Sequence, residues 1–221
     1  MANPADLPGM AGYGIDTSSA LGGIGVPTLR RMARTIGRDH RLAAELWASG
    51  IHEARILATL IDDPARVTAG QMEAWAAEFD SWDVVDAACC NLFDRTRFAY
   101  AKAGQWSGRD EEFVKRAAFS LMAGLAVHDK ASPNAAFRRF FPLIEREAGD
   151  PRNYVRKAVN WALRQIGKRN TTLHREALAV ARRIHRTGPR PARWVASDAL
   201  RELHSQAVRD RLEAGGARGS S

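Results

Sequence analysis

The sequence predicts an all-α protein built from stacked helix pairs, and three observations carry that prediction. Apolar residues recur at helical spacing in segment after segment. No segment sustains the period-two alternation of a strand. One helical block also returns at a fixed interval along the chain.

The elements follow in order. Residues 1–12 and the tail from about 214 are rich in Gly, Ala, Ser and Pro and read as unstructured. Between them one domain is expected over 13–206, with 207–221 a mostly disordered tail. Gly22-Gly23-Ile24-Gly25-Val26-Pro27 reads as a loop feeding a helix from Thr28. Helical patterns then run over 28–37, 39–49, 51–61, 68–79, 82–93, 97–106, 111–128, 134–148, 152–168, 172–186 and 191–206. Breakers stand where these should stop: Asp62-Asp63-Pro64, Gly108, Ser132-Pro133, Gly149-Asp150-Pro151 and Gly188-Pro189.

The repeat is explicit. Phe113-Val114-Lys115-Arg116-Ala117-Ala118 aligns with Tyr154-Val155-Arg156-Lys157-Ala158-Val159, and both align with Val195-Ala196-Ser197-Asp198-Ala199-Leu200, at steps of 41 residues. Asp80-Ser81-Trp82-Asp83-Val84-Val85-Asp86-Ala87 is a weaker copy 30 residues before the first. Paired helices at a period near 40 are the mark of HEAT-type or armadillo-type arrays. One such pair cannot bury its own apolar face, so neighbours stack into a solenoid. An irregular helical bundle is the competing architecture.

Composition narrows the function classes. Of the 221 residues, 45% are apolar and 26% charged, ordinary for a soluble globular chain. Cys89 and Cys90 are the only cysteines, which excludes a disulfide scaffold. No apolar run reaches the roughly 18 residues that a membrane helix needs. No basic residue precedes Arg30, so no signal peptide is read. A cytoplasmic protein is expected. Net charge is +8, but residues 151–221 hold 16 basic and 5 acidic side chains, a local +11. That asymmetry points either to a polyanion such as nucleic acid or to a solvated arginine-rich surface.

Three helices carry residues on unexpected faces. In 152–168, Val155, Val159, Ala162 and Ile166 form an apolar stripe, while Trp161 lies about 120° away among Lys157, Arg164 and Lys168. Either a neighbouring helix covers that ring, or it is a flat surface for a nucleotide held by cations. In 82–93, Asp86 falls within the apolar arc of Trp82, Val85, Cys89 and Phe93, one turn after Trp82. A carboxylate there is either bridged to a neighbour or open to a ligand. From Phe113 to Val127 the only charges are Lys115 and Arg116. A central helix of this kind requires its arginine to meet a carboxylate, with Asp86 a candidate, or a phosphate. The six histidines form no metal motif, and no phosphate-binding loop is present. No metal or cofactor is expected.

Taken in order, Gly25-Val26-Pro27-Thr28-Leu29-Arg30-Arg31, Ser81-Trp82-Asp83-Val84-Val85-Asp86, Phe113-Val114-Lys115-Arg116-Ala117-Ala118 and Lys157-Ala158-Val159-Asn160-Trp161-Ala162-Leu163-Arg164 resemble the AlkD-like family of DNA alkylation repair proteins. The resemblance runs from about Tyr13 to Leu203. It implies an all-α, right-handed solenoid of HEAT-like repeats with a concave basic face. It further implies a monofunctional glycosylase that removes N3- or N7-alkylated purines from duplex DNA without flipping the base. On the matching motifs, Asp86 takes the place of the catalytic aspartate, with Trp82 and Trp161 as the active-site tryptophans. Arg116 stands at the active-site arginine, with Arg164, Lys168, Lys157 and Tyr13 as further DNA contacts. Ser81 stands where a second aromatic is expected. The implied partner is alkylated double-stranded DNA in the cytoplasm, at the nucleoid, bound by a monomer. A non-catalytic module that binds DNA structures or proteins is the alternative.

Overall fold

The computed structural model describes residues 3–15, 17–22 and 24–217, and all regular structure among them is helical. The chain divides into two compact units, Met1–Ala99 and Tyr100–Ser221, where the sequence reads as one domain over 13–206.

The first unit opens with a 3₁₀ turn, Pro4–Asp6, capped by the Asn3 side chain, and a short helix, α1 (Leu7–Gly12). The expectation of an unstructured 1–12 therefore does not hold for 4–12. The reason is tertiary. Glu53, buried in the helix His52–Ile61, accepts from the backbone N–H groups of Leu21 and Gly22 at 2.9 and 2.8 Å. Gly22 in turn accepts from Asn3 N at 2.8 Å, which ties the leading segment down. Gly22 has φ +72°, and a Cβ there would lie 2.5 Å from the Asn3 carbonyl oxygen, so the residue must be glycine.

Next come α2 (Val26–Ile36), α3 (His40–Ala48), α4 (His52–Ile61), α5 (Ala69–Ala77) and α6 (Trp82–Ala87). Asp39 and Thr68 cap α3 and α5 by accepting from Leu42 N and Gln71 N. Trp47 and Trp75 stack at 3.9 Å with planes 3° apart, and Phe79 and Phe93 complete the aromatic core. Buried Arg55 lies 5.2 Å over the Trp47 ring and is answered by Glu78 and Asp80. Helix 82–93 is not continuous: α6 opens into a π-helical segment, Ala88–Leu92, and a 3₁₀ turn, Phe93–Arg95. Within the π turn Asn91 Nδ2 donates to Thr59 Oγ1 of α4 at 3.1 Å, a partner that sequence periodicity does not reveal.

In the second unit α7 (Ala99–Trp106) begins at the division, followed by α8 (Glu112–His128), α9 (Asn134–Arg138), α10 (Phe141–Glu147), α11 (Asn153–Gly167), α12 (Thr171–Thr187), α13 (Arg190–Leu203) and α14 (Gln206–Ala217). The expected single helix over 134–148 is two, because the Pro142 ring excludes an acceptor four residues earlier and starts a new helix. The expected tail forms α14 instead, since Val208 and Leu212, one turn apart, are both buried.

Two ladders of contacts run through this unit in parallel register. In one, Arg116 of α8 donates to the Tyr154 carbonyl of α11, Asn160 of α11 donates to the Val195 carbonyl of α13, and Arg164 pairs with Glu202. In the other, Arg138 of α9 and Arg183 of α12 pair with Glu176 of α12 and Glu145 of α10. Separations cluster between 35 and 38 residues. Ala117, Ala158 and Ala199, the small residues of the repeat, are each fully buried. Such stacking is what a repeat array requires.

Candidate functional site

The sequence-predicted residues fall on both units. In the first, Trp82 opens α6 and Asp86 follows one turn later, both half-buried above the fully buried Val85 and Cys89. Trp82 Nε1 donates to the Tyr13 carbonyl oxygen at 3.1 Å. The Tyr13 side chain is 78% exposed, so it is the backbone of Tyr13 that orients the indole. Asp86 thus occupies the edge of an apolar face rather than its depth.

In the second unit the face read from spacing is present. Trp161, Arg164 and Lys168 are half-buried on α11, with Lys157 exposed on the same side. The Gln165 amide oxygen, in the orientation that satisfies its neighbours, accepts from Trp161 Nε1 at 3.0 Å and Lys168 Nζ at 3.3 Å. Arg164 and Lys168 both pair with Glu202 of α13, Lys168 at 2.6 Å, and Arg164 also lies 4.0 Å from Asp198. Burial by itself would raise the Glu202 carboxyl, but Lys168 and Arg164 outweigh it and hold the group below the ordinary glutamate range. The two cations are therefore partly compensated within the fold.

Arg116 is 6% exposed and its guanidinium donates to the Tyr154 carbonyl at 2.8 Å. Its neighbour Lys115 is equally buried and pairs with Glu147 at 2.8 Å and Asp150 at 3.6 Å. A backbone carbonyl is a partner for Arg116 that no side-chain pattern in the sequence indicates.

Sequence reading missed a buried network in the first unit. His52 Nε2 lies 2.9 Å from Asp83 Oδ2, and Ser81 Oγ donates to Asp83 Oδ1 at 2.5 Å. Ser81 is fully buried, so its small size serves this bond. Burial disfavours charged His52, yet Asp83 raises its pKa above 6.5 overall. Burial likewise opposes ionised Asp83, and His52 and Ser81 hold it below 3.8. The pair borders a cavity of about 340 Å³ whose other walls include Met10, Val26, Leu29 and Ile56. The available signal was the 31-residue spacing of His52 and Asp83, close to the weak 30-residue repeat.

Among the described residues no cluster of His, Cys, Asp and Glu could hold a metal ion, and no helix is long and apolar enough to cross a membrane.

Parallel ladders of helix pairs, closed on small buried residues, define a HEAT-like repeat protein. The chain belongs to the DNA alkylation repair enzyme family, whose model matches residues 1–203. It is 21% identical over 187 residues to an uncharacterized protein of Listeria innocua, covering 83% of this chain and 81% of that one. A solved structure superposes with a TM-score of 0.78 at 16% identity, over 96% of this chain and 91% of the other. That structure represents a new family of proteins related to the HEAT-like repeat DNA glycosylases, with affinity for branched DNA structures. The likeness extends to the fold.

Proposed function

We propose that this protein is a monofunctional DNA glycosylase that hydrolyses the N-glycosidic bond of cationic N3- or N7-alkylated purines in duplex DNA, without flipping the base. The observation that carries the reading is Asp86, a carboxylate at the rim of an apolar face one turn from Trp82, in a chain of the alkylation repair family. An alkylated purine already bears positive charge and departs as a neutral base, so acid catalysis is not required. The reaction needs negative charge where the sugar becomes an oxocarbenium ion, and a water directed at C1′. Asp86 serves both needs. Trp82, oriented by the Tyr13 carbonyl, offers an electron-rich ring face to the sugar, and Trp161 presents a second ring to the DNA from the second unit. Arg116, Lys157, Arg164 and Lys168 hold phosphates, and Tyr13 adds a contact from the first unit. No lysine forms a Schiff base, so the product is an abasic site. The setting is the cytoplasm at the nucleoid, with the protein acting as a monomer. Incubation with duplex containing 7-methylguanine, scored for base release by wild type and Asp86→Asn, tests the assignment.

A second reading, a non-catalytic binder of DNA structures, is favoured by one observation: the superposing structure comes from a family with affinity for branched DNA. Tight binding of a four-way junction with no release of 7-methylguanine would select it.

A further inference from the structure

Among the described residues of the second unit, one large apolar side chain is open to solvent. Trp194, in the second turn of α13, is 41% exposed, whereas the other large apolar side chains this open all belong to the first unit. The Arg156 guanidinium of α11 lies over the Trp194 ring, 4.7 Å from its centroid. Arg156 Nε is buried and makes no hydrogen bond among the described residues. This arginine therefore sets its charge against an aromatic face rather than a carboxylate.

The surroundings strengthen the case. Lys157, Arg190 and Arg193 are exposed, and among the described residues none of them, nor Arg156, is ion-paired. Further along the same two helices the pattern reverses: Arg164, Lys168 and Arg201 are answered by Glu202 and Asp198. Arg156, Arg190 and Arg193 sit in the first turns of α11 and α13 and Lys157 follows directly, near helix starts where cations oppose the macrodipole, so helix stability does not explain them.

A partly exposed aromatic ring, backed by a guanidinium and neighboured by cations without an ion-pair partner, is suited to stacking a nucleobase while flanking phosphates are held. Bases inside a duplex are already stacked on both sides. The ligand this geometry fits is DNA with an unpaired base. We propose that Trp194 and Arg156 form a stacking site for an unpaired nucleobase, with Lys157, Arg190 and Arg193 on the adjoining phosphates. The inference rests on the reading of the protein as DNA-binding and adds a preference for DNA that carries a single-stranded segment.

The test is fluorescence anisotropy with two labelled DNAs, a blunt duplex and the same duplex bearing a single-stranded arm. Wild type, Trp194→Leu, Trp194→Phe and Arg156→Gln are compared after circular dichroism has shown equal helicity and melting temperature. Trp194→Leu is expected to lose about tenfold in affinity for the armed DNA and to stay within about twofold on the blunt duplex, in line with the loss of one base–aromatic stack. Trp194→Phe keeps a ring and retains most of the preference. Equal binding of both DNAs by wild type, or parallel losses on both DNAs in Trp194→Leu, overturns the stacking site while leaving duplex recognition intact. If wild type binds neither DNA, the underlying DNA reading fails and this site with it. Should Trp194→Leu melt early, Trp194→Phe and Arg156→Gln decide: no change of preference in either rejects the proposal.

Discussion

Lys168 and Glu202 meet at 2.6 Å between α11 and α13, and the same carboxylate also takes Arg164. A phosphate that binds these cations must therefore compete with Glu202. Glu202→Gln is expected to tighten duplex binding and to steepen its dependence on salt, by roughly one released counterion. The same change is expected to lower the melting temperature, because two half-buried cations lose their partner. Duplex affinity unchanged in Glu202→Gln, Arg164→Ala and Lys168→Ala alike would move the phosphate track off this part of α11.

Asp86→Asn keeps the shape of the side chain and removes its charge. Single-turnover release of 7-methylguanine is expected to fall on the order of 10²-fold or more, as for loss of one preorganised electrostatic partner. Binding of the same duplex should hold or tighten, because a negative charge near phosphates is gone. An unchanged rate of release in this variant makes the carboxylate a bystander.

The His52–Asp83 pair makes the stability of the first unit depend on pH in a defined direction. His52 has its pKa raised above 6.5 by Asp83, so its contribution is full below 6.5 and is lost as pH rises through the folded value. Asp83 is held below 3.8, so its contribution is present above 3.8 and is lost as pH falls through the folded value. The pair stabilises most between those two limits. Urea midpoints are expected to decline from pH 6 to 9 in the wild type, and that decline should flatten in His52→Gln. A slope identical in both proteins would assign the pH dependence to other groups.

Gly167 ends α11 where it meets both α12 and α13. A Cβ there would lie 2.8 Å from Leu203 Cδ2 and 2.9 Å from Ala177 Cβ. Gly167→Ala gains about 1 kcal/mol of helix propensity, but overpacking of a filled contact costs about 1–3 kcal/mol. The expected net result is a lower melting temperature, with parallel loss of DNA binding only where unfolding sets in. A rise in melting temperature would show that Leu203 yields without strain.

Much of this architecture is legible without coordinates because it follows from local chemistry. Helical periodicity, breakers such as Gly188-Pro189, and the 41-residue recurrence of Ala117, Ala158 and Ala199 suffice for stacked helix pairs, since each pair must bury one face against the next. The same wheel geometry puts Trp161 beside Lys157, Arg164 and Lys168, and the helix observed over Asn153–Gly167 keeps them on one side. Other features depend on residues far apart in the chain. Helices form at 7–12 and 206–217 because Glu53 anchors the following loop in one case and Val208 and Leu212 find a buried face in the other. The π turn after α6 gains its Thr59 partner from α4. Whether a cation faces solvent or a carboxylate is likewise decided only by which helix packs beside it. Arg164 meets Glu202, Arg116 meets a backbone carbonyl, and Arg156 lies on Trp194. Charge type is local to the sequence, while charge compensation belongs to the packed helices.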